Sequence, residues 1–151
     1  MENVPQLAAR NLRILATDID PEVLRFAKRG EYPTQLATGA PDILRKKYFS
    51  RKTQNMSEPH FVAAPALKDL IRFNELNLLA PWPMKNKFDT IFCRNVLIYF
   101  DSQTQERLWP RFHQALHPNG LLFLGHSERI VDPEQFGFEC IGPTTYRPLS
   151  V

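Results

Sequence analysis

The sequence predicts an α/β fold built on a largely parallel, doubly wound sheet. Three observations predict it. An apolar run closes on Thr17-Asp18-Ile19-Asp20 and opens at once into a helical pattern; the apolar run FDTIFC ends abruptly in Arg94-Asn95; and a capped amphipathic stretch returns through His117-Pro118-Asn119-Gly120 into another apolar run. Strand, helix, strand in that order is a βαβ crossover, the unit of parallel sheets. At 151 residues, 43% hydrophobic and 23% charged, the chain has the size and balance of one domain, residues 1–151, with a real core.

Taken in order, residues 12–16 (LRILA) predict the first strand. The helix that follows has agreeing boundary signals: Asp20 suits the N-cap, Pro21 the first helical position, Glu22 the dipole and Gly30 the stop, with Val23, Leu24 and Ala27 on the apolar face. Residues 42–49 (DILRKKYF) predict a short helix beginning near Pro41, and the polar stretch 50–59 a loop. Residues 61–64 (FVAA) and 70–78 (LIRFNELNL) predict the strands of a small antiparallel β insert over 59–78, with 65–69 as its turn. FDTIFC predicts a strand covered on both faces, and 121–125 a second parallel strand. Between them 102–116 predicts a helix capped by Asp101 or Ser102, with Leu108, Phe112, Ala115 and Leu116 on one face and a kink at Pro110. Residues 136–141 and 144–149, parted by Gly142-Pro143, predict a closing β-hairpin.

The formal charge of +3 comes from 19 Lys and Arg alternating with 16 Asp and Glu, without a basic run interleaved with stacking aromatics, so no nucleic-acid partner is expected. An acidic substrate stays open. No stretch approaches the roughly 20 apolar residues of a membrane span, and no apolar run follows a basic start, so the expectation is a soluble, cytoplasmic protein without membrane insertion. Cys93 and Cys140 sit in apolar settings suited to buried free thiols. His113 and His117 have a helical ligand spacing but no companion Cys, Asp or Glu, so no metal is expected.

Strand ends carry the candidate chemistry. Asp18 stands where open α/β sheets accept ribose hydroxyls, with no evident structural duty, whereas Asp20 reads as a helix cap. Arg94 and Asn95 leave the carboxyl end of FDTIFC, where ligands of such sheets bind, and a guanidinium there calls for a partner. Tyr99 is either a core residue with a satisfied hydroxyl or a ligand-facing one.

The segments ILATDIDPEVLRFAKRGEY, RFNELNLL, FDTIFCRNVLIYFDSQTQE, LHPNGLLFLGHSE and TTYRPL, in this order over almost the whole chain, resemble the CheR-type chemotaxis receptor glutamate methyltransferases. The resemblance implies a Rossmann-like class I methyltransferase fold using S-adenosyl-L-methionine, with S-adenosyl-L-homocysteine as product. The implied partner is the cytoplasmic domain of a chemoreceptor or its C-terminal peptide, which the β insert docks in some members. By motif match, Asp18 would bind the ribose, Asn77 and Leu78 the adenine side, and Arg51 of YFSR would lie near the cofactor. Arg94 and Asn95 would contact cofactor and flank the transfer site, with Arg94 orienting the glutamate and the Tyr99 hydroxyl near the departing methyl. His126 of GHSE would be a hydrogen-bonded structural residue.

That family carries a helical domain, a central strand and an STGEE-like loop before its TDID strand, whereas here the first glycine is Gly30. The expectation is a fold lacking its first central strand and glycine-rich loop, and activity that needs that part. Three completions are open: TDID and FDTIFC strands pairing directly, self-association with a second copy, or a separate N-terminal segment. The alternative function is a non-catalytic receptor- or peptide-binding module. An RNA or small-molecule methyltransferase ranks behind both, because Arg-Asn-Val stands where an amino-methylating Pro-Pro-aromatic signature would be.

Overall fold

A computed structural model describes residues 12–37, 39–52 and 59–149. The chain forms two compact units, one up to Asn77 and one from Leu78.

In the first unit, β1 (Ile14–Asp18) pairs in parallel with β5 (Ile71–Glu75). The strand lies two residues beyond the expected 12–16, because the ladder runs on through Asp18 opposite Glu75 and the Asp18 carbonyl accepts the Leu76 N–H at 2.9 Å. Helix α1 (Pro21–Arg29) has the boundaries read from the sequence. The Asp20 side chain accepts the Glu22 N–H at 2.7 Å, and Gly30 at φ 68 turns left-handed to donate to the Ala27 carbonyl. A residue without Cβ adopts that conformation without strain.

A second sheet in this unit is antiparallel, with β4 (His60–Ala63) between β2 (Glu31–Pro33) and β3 (Phe49–Lys52). Helix α2 (Asp42–Tyr48) runs straight into β3. Tyr32 on β2 packs edge-on to Phe26 and Phe49, with ring centroids 5.7 and 6.4 Å apart. Two expectations are corrected. Residues 50–52 belong to β3 rather than to a loop over 50–59, of which 53–58 lie outside the described residues. The expected pair of 61–64 with 70–78 does not form: β4 pairs with β2 and β3, and β5 with β1. The segment between them, Pro65–Lys68, is a helical turn with proline at its start, and it carries the chain out of the antiparallel ladder. Alternation marks a strand, not its partner.

The second unit is a four-stranded sheet in the order β6-β7-β9-β8, with β6 (Phe88–Cys93), β7 (Leu116–Leu124), β8 (Phe138–Gly142) and β9 (Thr145–Pro148). β6 and β7 are parallel; β9 is antiparallel to β7 and β8. Helix α3 (Ser102–Ala115) makes the crossover, capped by Asp101, whose carboxylate accepts the Thr104 N–H at 2.7 Å. It runs on through Pro110 and buries Leu108, Trp109 and Phe112 with Leu122, Leu124, Phe138 and Tyr146. Each such side chain contributes on the order of 1.5–3 kcal/mol on leaving water. The ladder passes from Phe88 opposite Leu116 to Thr90 opposite Leu121, so the expected turn His117-Pro118-Asn119-Gly120 is instead a bulge inside β7, which starts at Leu116 and not at the expected 121.

β6 is not covered on both faces as expected. Phe92 is 70% exposed and stacked on Phe123 at 4.8 Å. Among the described residues the ladder neighbour of β6 is β7 and that of β1 is β5. Cys93 is buried as expected, but Cys140 is exposed, because β8 is the edge strand and its ladder breaks register there.

Candidate functional site

In the first unit the candidates lie around the carboxyl end of β1. Asp18 is its last residue and half-buried; its Oδ1 accepts the Asp20 N–H at 2.9 Å. This corrects the expectation that Asp18 has no structural duty: one oxygen shapes the turn into α1. The second oxygen takes no hydrogen bond among the described residues. Asn77 is exposed just past β5. Arg51 is exposed on β3, in the antiparallel sheet.

In the second unit, β6 ends at the buried Cys93, and Arg94 and Asn95 emerge exposed. Asn95 is left-handed at φ 59, and a 3-10 turn over Leu97–Tyr99 follows. Leu97 anchors this turn at 1% exposure, while Tyr99 is 80% exposed, which removes the core reading of Tyr99. Arg94, Asn95 and Tyr99 therefore stand on one strand-end turn.

The residue that holds this turn is Glu128, which sequence reasoning missed. It is buried, and its carboxylate accepts four backbone N–H groups: Gly125 at 2.6 Å, Asn95 at 2.9 Å, Val96 at 2.8 Å and Leu97 at 2.7 Å. Burial is the largest single influence and pushes its pKa up, but the four donors together outweigh it and hold the carboxyl below its ordinary value. A carboxylate filling a concave set of amides is a backbone nest occupied from within. Burial, aided by the Glu128 charge, raises the Cys93 thiol to about 12. The available signal was the acid closing GHSE after an apolar strand. His126 in the same motif is exposed and takes no side-chain hydrogen bond among the described residues, against the expectation of a hydrogen-bonded structural role.

A second missed residue fixes Leu78. Arg111 of α3 donates to the Leu78 carbonyl and, at 2.6 Å, to the Ala80 carbonyl, and its guanidinium lies 5.4 Å over the Trp82 ring. The Trp82 indole N–H also donates to the Leu78 carbonyl at 3.0 Å. His113, offered and rejected as a ligand, packs edge-on to Phe138 at 5.4 Å.

Each unit holds a parallel strand pair with a polar strand end, a carboxylate in one and Arg-Asn in the other, as strands of Rossmann-like α/β cofactor-binding folds do. The CheR methyltransferase SAM-binding domain model matches residues 1–146. The chain belongs to that family, whose cofactor is S-adenosylmethionine. It is similar to a probable chemotaxis protein methyltransferase of Rhizobium etli, 44% identical over 144 residues that cover 95% of this chain and 53% of the relative. Chemotaxis protein methyltransferase 2 of Pseudomonas aeruginosa is 41% identical over 139 residues, 91% of this chain and 49% of that one. The chain spans about half the length of the curated relatives it matches. Among solved structures, a TehB-like SAM-dependent methyltransferase from Corynebacterium glutamicum shares the fold, with a TM-score of 0.50 and 16% identity over 95% of this chain and 70% of that one.

Proposed function

We propose that this chain carries the cofactor-binding part of an enzyme that methylates glutamate carboxylates on the cytoplasmic domain of chemoreceptors. The observation that carries this reading is Asp18, a carboxylate at the end of a parallel strand with one oxygen tied to Asp20 and one open. A rigid acceptor in that place fits a ribose diol, so the donor set suits the family's cofactor. In this reading Asp18 holds the ribose, Asn77 and Leu78 border the adenine, and Arg51 contributes charge nearby.

Bound S-adenosylmethionine supplies a sulfonium methyl that passes to a carboxylate oxygen while the bonding pair stays on sulfur, so no proton has to move. A glutamate side chain is ionised at neutral pH, and no general base is needed. What remains for the protein is positioning. Arg94 orients the incoming carboxylate through a charge-assisted hydrogen bond, Asn95 borders the cofactor, and the exposed Tyr99 hydroxyl stands beside the transfer path. The receptor's C-terminal peptide docks on the antiparallel sheet β2-β4-β3, whose edge strands are able to accept an extended chain. No helix among the described residues is long and apolar enough to cross a membrane, which suits work on a receptor's cytoplasmic domain.

The test is calorimetry with S-adenosylmethionine and S-adenosylhomocysteine, on this chain alone and with the upstream segment of a relative supplied, followed by labelled methyl transfer to receptor glutamates. Binding that Asp18→Asn weakens about tenfold, equivalent to about 1.4 kcal/mol, is expected. Absence of binding in both states would end the reading, and peptide docking without methyl transfer would replace it with a binding module.

A further inference from the structure

We propose that Glu128 is a positioning residue for methyl transfer, holding the Arg94-Asn95 turn in its working shape from behind. The inference rests on the methyl-transfer reading above. Two independent observations carry it. The carboxylate gathers the N–H groups of Asn95, Val96 and Leu97, which follow β6, and of Gly125, which follows β7. It therefore ties together the carboxyl ends of two neighbouring parallel strands. Separately, Gly125 leaves no room for a side chain: a Cβ there would meet Glu128 Oε2 at 2.5 Å, Asn95 Oδ1 at 2.7 Å and Asn95 N at 3.0 Å.

Asn95 needs such a tie. Its left-handed backbone, which asparagine adopts more readily than most residues with a Cβ, starts a turn whose three successive amides, of Asn95, Val96 and Leu97, would otherwise lack an acceptor. Glu128 satisfies them and leaves the Arg94 side chain exposed, with Asn95 Oδ1 against Gly125. Glu128 touches neither substrate nor cofactor in this scheme. It also occupies the amide nest, so the incoming carboxylate is left to Arg94.

The test compares Glu128→Gln and Glu128→Asp with wild type in the full-length protein, reading kcat, the KM for receptor substrate, S-adenosylhomocysteine affinity, and amide exchange at Gly125, Asn95, Val96 and Leu97. Glu128→Gln keeps the size but turns an amide donor toward amide donors. It should lower kcat at least tenfold and speed exchange at these amides, while the fold by circular dichroism persists; Glu128→Asp should recover part of the loss. Faster exchange with wild-type kcat and KM overturns the proposal, leaving a purely structural role. If Glu128→Gln does not fold, Glu128→Asp decides by the same criterion, and if neither folds, Gly125→Ala, which keeps the carboxylate but crowds it, decides. A wild-type protein that transfers no methyl overturns the underlying reading and this proposal together, whereas active wild type with kcat-neutral variants overturns this proposal alone.

Discussion

Asn95 Oδ1 stands 2.7 Å from where a Cβ on Gly125 would lie, so the ends of β6 and β7 approach as closely as they do only because Gly125 carries no side chain. Gly125→Ala should destabilise the protein by about 1–3 kcal/mol through overpacking, measured by urea unfolding. A variant as stable as wild type would mean the two strand ends sit further apart than described.

Acid should loosen the same place. The folded-state pKa of Glu128 is depressed, so the unfolded chain binds more protons in the window below the ordinary glutamate value of 4.5. Its stabilisation is complete above that value and is lost as pH falls through the folded-state pKa. Glu128→Gln should be less stable by about 2–3 kcal/mol near neutrality. That gap should narrow on acidification, and a gap independent of pH would contradict the depressed pKa.

The two cysteines should separate by reactivity. Cys140 is exposed and should label with a thiol reagent in the native state; Cys93, buried with its thiol raised to about 12, should label only on unfolding. The sign at high pH follows: between the ordinary thiol value of 9.0 and 12 the folded chain keeps a proton the unfolded chain releases, so Cys93 lowers stability as pH rises there. Mass spectrometry of native and denatured samples reads the labelling.

Arg111→Lys keeps the charge but cannot reach both the Leu78 and Ala80 carbonyls in the planar fork that Arg uses. It should cost about 1–3 kcal/mol and shift the Trp82 fluorescence, since the guanidinium lies over that ring. An unchanged spectrum and unfolding midpoint would show that the 78–80 segment holds itself.

Much of this was legible because it is local. Asp20, Pro21 and Gly30 bound α1 as read, since a cap, a first-turn proline and a left-handed stop act within a few residues. A cap at Asp101 or Ser102, which the structure gives to Asp101, and the β6-α3-β7 crossover were legible for the same reason. The pairing of β5 with β1 was not, because 70–78 alternates equally well for any partner and only the helical turn at Pro65–Lys68 excludes the hairpin. Strand β2, three residues long, has too little pattern to announce itself.

The sequence by itself determined the family, the α/β order, the helix boundaries and the placing of Asp18, Arg94 and Asn95 at strand ends, because motifs and caps are properties of neighbouring residues. Only the tertiary structure decided that Asp18 spends one oxygen on Asp20, that Tyr99 faces outward, and that Glu128 collects amides from two strands. The physical reason is separation along the chain. Glu128 and Asn95 lie 33 residues apart, and a carboxylate declares its partners only once the parallel pairing of β6 and β7 has brought their ends together.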